Sequence, residues 1–315
     1  MRARLVRAAK RFARRIIGRP ILGRSILVYH RIVETDFDPW NIAVSPNEFE
    51  RQLVKLRSKT VLPLKEFANL HMQKQLPRNA VAITFDDGYA CNALVAAPML
   101  EAFGYPATFF IVSDAIALPE EFWWDQLEFI VHAPGFNYEA AMRLLAGHLA
   151  NARGGPVRQD GATRAGFLDL WDLLHRLSTE QRRQYLDNLR DTMGLKKQIR
   201  PTLRPMTATE LRNLAANPLF EIGGHTVTHP SLPRLAPPEQ EQEITFGSRF
   251  LEATLGRPVR SFSYPFGEYD KVTRDIVAAA GFECAVITSH RTVRPGDNQF
   301  ELPRRRAGNR NAPES

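Results

Sequence analysis

The chain has 315 residues, 44% of them hydrophobic and 24% charged, which suits a soluble globular protein with a sizeable core and excludes a disordered chain. Its formal charge of +8 suggests a polyanion-binding protein until the position of the charge is considered. Residues 1–24 carry nine basic side chains (Arg2, Arg4, Arg7, Lys10, Arg11, Arg14, Arg15, Arg19 and Arg24) and no acid, leaving 33 basic against 34 acidic residues elsewhere, so the body is neutral and does not call for nucleic acid.

Within that arm Leu5, Ala9, Phe12, Ala13 and Ile16 fall on one side of a helix, with arginines around the rest. It lacks the roughly 7–15-residue apolar core of a signal peptide, and no stretch reaches the roughly 20 apolar residues of a membrane span. The arm reads either as a helix lying on an anionic membrane surface or as a solvated extension. A cytoplasmic body is expected, peripheral at the inner face of the membrane on the first reading. Cys91 and Cys284 are far apart without CxxC spacing and read as buried thiols.

In chain order, residues 25–30 (SILVYH) read as a strand. Ser45, Pro46 and Glu48 mark a helix start, and Phe49, Leu53 and Leu56 continue its apolar face. A weak strand is expected near 60–64 and a strong one at 80–85 (AVAITF), followed by a helix ending at Gly104 and a strand at 107–112. Residues 119–205 break the rhythm with helical patterns (Phe167, Leu170, Trp171, Leu174; Tyr185, Leu186, Leu189, Met193), a capping box at Ser178 and Gln181, and a Gly/Pro-containing loop at 153–161. Thr207 and Glu210 then cap a helix before strand 219–222. A helix at 239–255 precedes strand 260–264, and a helix at 270–280 precedes 283–288, read as the last strand. Alternating strands and helices predict βα units around a parallel sheet, better closed as an incomplete barrel than left open.

Asp86 and Asp87 end one strand, and barrels place active sites at the C-terminal ends of their strands. His225 and His229 follow another strand and its glycines. Two imidazoles and a carboxylate with open coordination positions suit Zn, Co, Ni, Mn or Fe, zinc foremost.

TFDDGY at 84–89 and HTVTHPSL at 225–232 resemble the first two motifs of the polysaccharide deacetylase family (the NodB-homology or carbohydrate esterase 4 group), and SYPFG at 263–267 resembles its third. The resemblance covers roughly residues 25–306. It implies a distorted (β/α)7 barrel at 25–308, here with a helical insertion at about 119–205 and a tail at 309–315. It also implies one divalent metal ion and hydrolysis of N-acetyl groups on sugars of polymers such as chitin, peptidoglycan glycan or exopolysaccharides such as poly-N-acetylglucosamine. By motif matching Asp86 resembles the general base, Asp87, His225 and His229 the metal ligands, and the backbone N–H of Phe266 an oxyanion donor. Tyr89, Tyr264, Pro265, Phe266 and Trp124 are the expected substrate-binding residues.

Two positions depart from the family pattern. Ser263 stands where an arginine is usual, and no leucine-x-histidine motif follows residue 288. Arg304 either replaces that arginine beside Asp86 or belongs to a surface cluster with Arg305 and Arg306. For the proton donor, Tyr29 and His30 resemble the N-terminal tyrosine-histidine pair of a subgroup acting on poly-N-acetylglucosamine. His30 is therefore the expected general acid, with His290 second. Trp123 and Trp124 are read either as sugar-stacking rings or as helix anchors. Competing functions are hydrolysis of a non-sugar amide on the same metal site and non-catalytic glycan binding, against which the complete set of Asp86, Asp87, His225 and His229 argues.

Overall fold

Seven parallel strands close into a ring because the first of them has a neighbour on each side. In the computed structural model, which describes residues 23–117, 120–146 and 164–308, β1 (Ser25–Tyr29) pairs in parallel with both β5 (Ala80–Phe85) and β10 (Leu302–Arg306). The circuit runs on from β5 through β6 (Ala107–Ile111), β7 (Phe220–Gly224), β8 (Ser261–Ser263) and β9 (Cys284–Thr288) to β10. The two-residue β4 (Thr60–Val61) adds to the start of β5, and β2 (Arg31–Ile32) pairs with β3 (Ala43–Val44) outside the ring. The expected seven-stranded α/β barrel is therefore present. The basic arm apart from Gly23 and Arg24, the loop at 153–161 and the tail at 309–315 lie outside the described residues.

The strand inventory needs one correction. The weak strand near residue 60 is not a stave of the ring, and the seventh stave is β10, beyond the strand read as last. Pro303 and three arginines give β10 the composition of a loop, since proline cannot donate to a ladder and charged residues are rare in buried strands. Alternation resolves the paradox: Leu302 and Arg304 are fully buried, while Arg306 reaches the mouth of the barrel.

The same period of two sorts the apolar residues. Ile26, Ala82, Phe110, Cys284, Val286 and Leu302 form one cluster in the barrel. Leu27, Ile83, Phe85, Phe109 and Phe262 pack outward against helix residues, including Phe49 and Leu53 of α1 (Pro46–Lys55), Leu100 of α3 (Ala97–Phe103; α2 is Leu64–Met72) and Leu211 of the helix Ala208–Ala216. A Cβ on Gly223 would lie 2.4 Å from the Phe110 ring, so only glycine lets that ring fill the barrel.

After β6 and α4 (Ser113–Ala117), the insertion supplies α5 (Trp123–Val131), α6 (Tyr138–Ala146), α7 (Arg164–His175) and α8 (Thr179–Thr192). Leu127, Ile130, Phe167, Leu170, Tyr185 and Leu189 give it a core of its own, and Phe37 and Trp40 from the β2–β3 connection pack against that core. The capping boxes at Ser178 and Gln181 and at Thr207 and Glu210 form as expected, the latter starting α9 (Ala208–Ala216). Two helices complete the outer layer, α10 (Pro237–Leu255) and α11 (Lys271–Ala279). Among the described residues, no helix is long and apolar enough to cross a membrane.

Candidate active site

The C-terminal ends of six of the seven ring strands, β10 with Arg306 among them, converge on one cavity of about 290 Å³. His30 follows β1, Asp86 and Asp87 follow β5, His225 follows β7, Phe266 lies just past β8 and Thr288 ends β9, and all six line it. Asp87, Thr226, His229 and Phe266 have φ of 74°, 67°, 57° and 59°. Left-handed backbone is uncommon for non-glycine residues, and its concentration here marks strain held in place by the surrounding packing.

The turn after Asp86 separates the two adjacent carboxylates. Asp87 Oδ1 lies 3.5 Å from both His225 Nε2 and His229 Nε2. That spacing is long for a hydrogen bond. It matches the about 3.4 Å expected between ligand atoms set tetrahedrally about 2.1 Å from one ion. One atom from each of the three residues lies within 4.8 Å of the others. His225 Nδ1 is engaged by the Ser263 carbonyl at 2.7 Å, so its Nε2 is the nitrogen left for a ligand bond. Burial and the neighbouring His225 push the His229 imidazole down to about 3, keeping it neutral, as a ligand must be. Burial alone would raise Asp87, but the imidazoles of His225, His30 and His229 outweigh it and lower its pKa. The donor set therefore fits a divalent cation.

Helix α10 supports the loop that carries the two histidines. Glu243 Oε2 accepts the backbone N–H of Val227 and of Thr228, both at 2.9 Å, and its Oε1 accepts the Thr228 hydroxyl at 2.8 Å. A Cβ on Gly247 would lie 2.9 Å from the Thr226 carbonyl atoms, so this glycine permits the helix to approach.

Asp86 has a different partner. Arg304 donates from Nη1 to Oδ1 and from Nη2 to Oδ2, both at 2.6 Å, and its Nη2 also reaches Ser263 Oγ at 2.8 Å. This planar, bidentate pair is buried, with Arg304 0% exposed. Arg304 thus occupies the position beside Asp86, and the surface-cluster alternative does not hold. Burial would raise the Asp86 carboxyl, but the guanidinium overrides it and holds the pKa well below the usual carboxylate range.

His30 is half-buried on the cavity wall, and among the described residues its Nδ1 has no hydrogen-bond partner. Burial lowers its pKa, opposed by Asp87 and Asp86. His290 is exposed and is not on that wall.

Three expected substrate contacts are corrected. Tyr89 and Tyr264 are 0% exposed and Pro265 is buried, and none of the three lines the cavity. A buried phenol needs a hydrogen-bond partner inside the protein. Tyr89 donates to Asp125 Oδ2 at 2.7 Å, and Tyr264 donates to the Phe300 carbonyl at 3.0 Å. Tyr89 instead belongs to a buried chain in which Arg31 Nη1 donates to Asp125 Oδ1 at 3.1 Å and Trp124 Nε1 donates to the Tyr89 oxygen at 2.8 Å. Burial raises Asp125 to about 7 despite Arg31. Trp124 does line the cavity, its ring 5.0 Å from that of His229, but Phe122 is stacked on it at 4.8 Å.

Wall residues with no role assigned from sequence include Trp40, Trp171, Glu268 and Arg306. Trp171 lies on α7 beside His175, whose ring packs edge-on against Phe266 at 4.3 Å. A larger hollow of about 500 Å³ sits at the opposite ends of the strands, lined by Arg24, His71, Lys74 and the 295–300 segment, and contains none of these groups.

The model of the family described as polysaccharide deacetylase matches residues 73–136 and 187–285. The Bacillus subtilis (strain 168) protein YxkH, whose name places it among polysaccharide deacetylases, is 33% identical over 94 residues, or 29% of this chain and 32% of that protein. The chain thus spans about a third of that relative. The deacetylase PplD of Streptococcus pyogenes, solved with acetate, superposes with a TM-score of 0.59 at 18% identity over 91% of this chain and 93% of that one. IcaB from Ammonifex degensii gives 0.58 at 19% identity over 91% and 92%. These two structures share the fold with the protein.

Proposed function

Since the chain belongs to the polysaccharide deacetylase family, we propose that it removes N-acetyl groups from amino sugars of a polysaccharide or oligosaccharide, with one divalent ion, zinc foremost, held by Asp87, His225 and His229. The observation that carries the reading is the adjacency of two differently committed carboxylates. Asp87 faces the two imidazoles of His225 and His229, while Asp86, one residue away, is kept ionised by Arg304. When bound, the ion would acidify water and polarise the amide carbonyl. Asp86 accepts the proton of the attacking water at a carboxylate oxygen, with Arg304 fixing its orientation. The backbone N–H of Phe266 donates to the developing oxyanion. His30 then protonates the leaving amine. Trp124 contributes an apolar edge to the acetyl-binding wall.

Metal removal is the direct test. Chelation should abolish acetate release from N-acetylated oligosaccharides, and added divalent ion should restore it. Asp87→Ala, His225→Ala and His229→Ala should each lower bound metal measured by elemental analysis. Undiminished turnover in protein shown to be metal-free would refute the mechanism.

The basic arm supports a second element of this reading, attachment of a cytoplasmic barrel to an anionic membrane. All of the excess charge lies in residues 1–24, and each basic side chain near such a surface contributes about 1 kcal/mol. Removing residues 1–24 should weaken sedimentation with anionic liposomes at low salt and leave hydrolysis of a soluble oligosaccharide unchanged. Equal sedimentation of both proteins would rule attachment out.

A further inference from the structure

One cation on the cavity wall has no part in the chemistry above. Arg306 ends β10 two residues beyond Arg304, on the same face of the strand, and lines the cavity mouth. Its Nη1 donates to the Trp40 carbonyl at 2.6 Å, and among the described residues it forms no ion pair. The nearby acids are committed elsewhere. Asp38 accepts the backbone N–H of Ile42 at 2.9 Å and of Ala43 at 2.8 Å, and it also pairs with Arg31. Asp86 is matched to Arg304, Asp87 to the two imidazoles, and Glu268 accepts from Ser231. Arg306 is also positioned among rings suited to a sugar. The loop it holds presents Trp40, whose ring lies 5.7 Å from that of Trp171 with 55° between their planes. Both are half-buried on the cavity wall. Aromatic walls take the apolar faces of a pyranose, and a guanidinium takes an oxyanion in bidentate fashion.

We propose that Arg306, with Trp40 and Trp171, forms a subsite for an acidic sugar, so that the N-acetylated glycan carries a carboxylate or phosphate on the unit beside the one deacetylated. This rests on the deacetylase reading and names its substrate class. The test compares the metal-loaded protein on three matched oligosaccharides of N-acetylglucosamine: neutral, with a flanking uronate, and with a phosphate monoester. Both kcat/KM for acetate release and calorimetric binding are measured. An acidic ligand should be favoured by roughly tenfold over the neutral one, and the preference should shrink with salt. The preferred acid identifies the source of the anion. Arg306→Gln should erase the preference, weakening the acidic ligand by roughly tenfold and the neutral one far less, and Arg306→Lys should keep part of it. If Arg306 were only a clamp for the Trp40 loop, Arg306→Gln would weaken neutral and acidic ligands alike, and that result, or a wild-type preference for the neutral ligand, overturns the proposal. Absence of acetate from all three would instead fail the deacetylase reading, and binding would still report the preference.

Discussion

Arg304→Met is expected to destabilise the protein by about 3–5 kcal/mol at neutral pH, because it strands the buried Asp86 carboxylate without its counterion. It should also reduce turnover by roughly 10²–10⁴-fold, since the proposed base loses both its charge state and its orientation. The destabilisation has a distinctive pH dependence. In the wild type the Asp86 pKa is depressed, so its contribution to stability is complete above the ordinary carboxylate range and fades only as pH falls below it. In the variant the Arg304 guanidinium no longer counters burial, which only His225 and His30 still oppose, so that pKa rises and the penalty, small where the carboxyl is protonated, grows with pH. Denaturant unfolding should therefore show a larger loss relative to wild type at pH 7.5 than at pH 4. A pH-independent difference would mean that Arg304 acts through packing alone. A complementary exchange is informative: Ser263 and Arg304 meet at 2.8 Å, so Ser263→Arg combined with Arg304→Ser should recover part of the activity. A folded double variant with none would show that the guanidinium is needed from β10.

His30→Ala should retain bound metal and lose turnover of N-acetyl substrates by roughly 10²–10⁴-fold, the range for a general acid. His225→Ala or His229→Ala should lose both. The His30→Ala defect should shrink on acetyl esters with good leaving groups, which depart with little protonation. His290→Ala should change little, because His290 is exposed and outside the cavity wall. Normal turnover of the N-acetyl substrate by His30→Ala, alongside a defect in His290→Ala, would move the proton donor to the other end of the chain.

These residues were not equally legible in the sequence. Asp86 with Asp87, and His225 with His229, are close in sequence at strand ends, so local pattern and motif suffice to find them. The barrel was legible for the same reason, as its apolar strands alternate with capped helices. β10 was hidden because its buried face carries an arginine whose partner, Asp86, is contributed by a distant strand. Trp40, Trp171 and Arg306 come from a loop, the insertion and the last strand, and only tertiary packing makes them neighbours. Tyr89 and Tyr264 mislead in the opposite direction. Each sits within or beside a motif, yet each spends its hydroxyl on an internal partner.

The place of β10 between β1 and β9 also governs when Asp86 can first be paired. A ribosome releases the strands in order, and β1 through β9 can assemble only an open sheet until the final stave emerges to bridge its edges. Until then Asp86 has no guanidinium beside it, and its carboxylate is neither held ionised nor oriented. Closure joins the beginning of the barrel to its end, a pairing of very large sequence separation that forms slowly in comparison with local contacts. Pairing of Asp86 must therefore wait for residues 302–306, and a chain terminated before residue 302 would be expected to emerge without it.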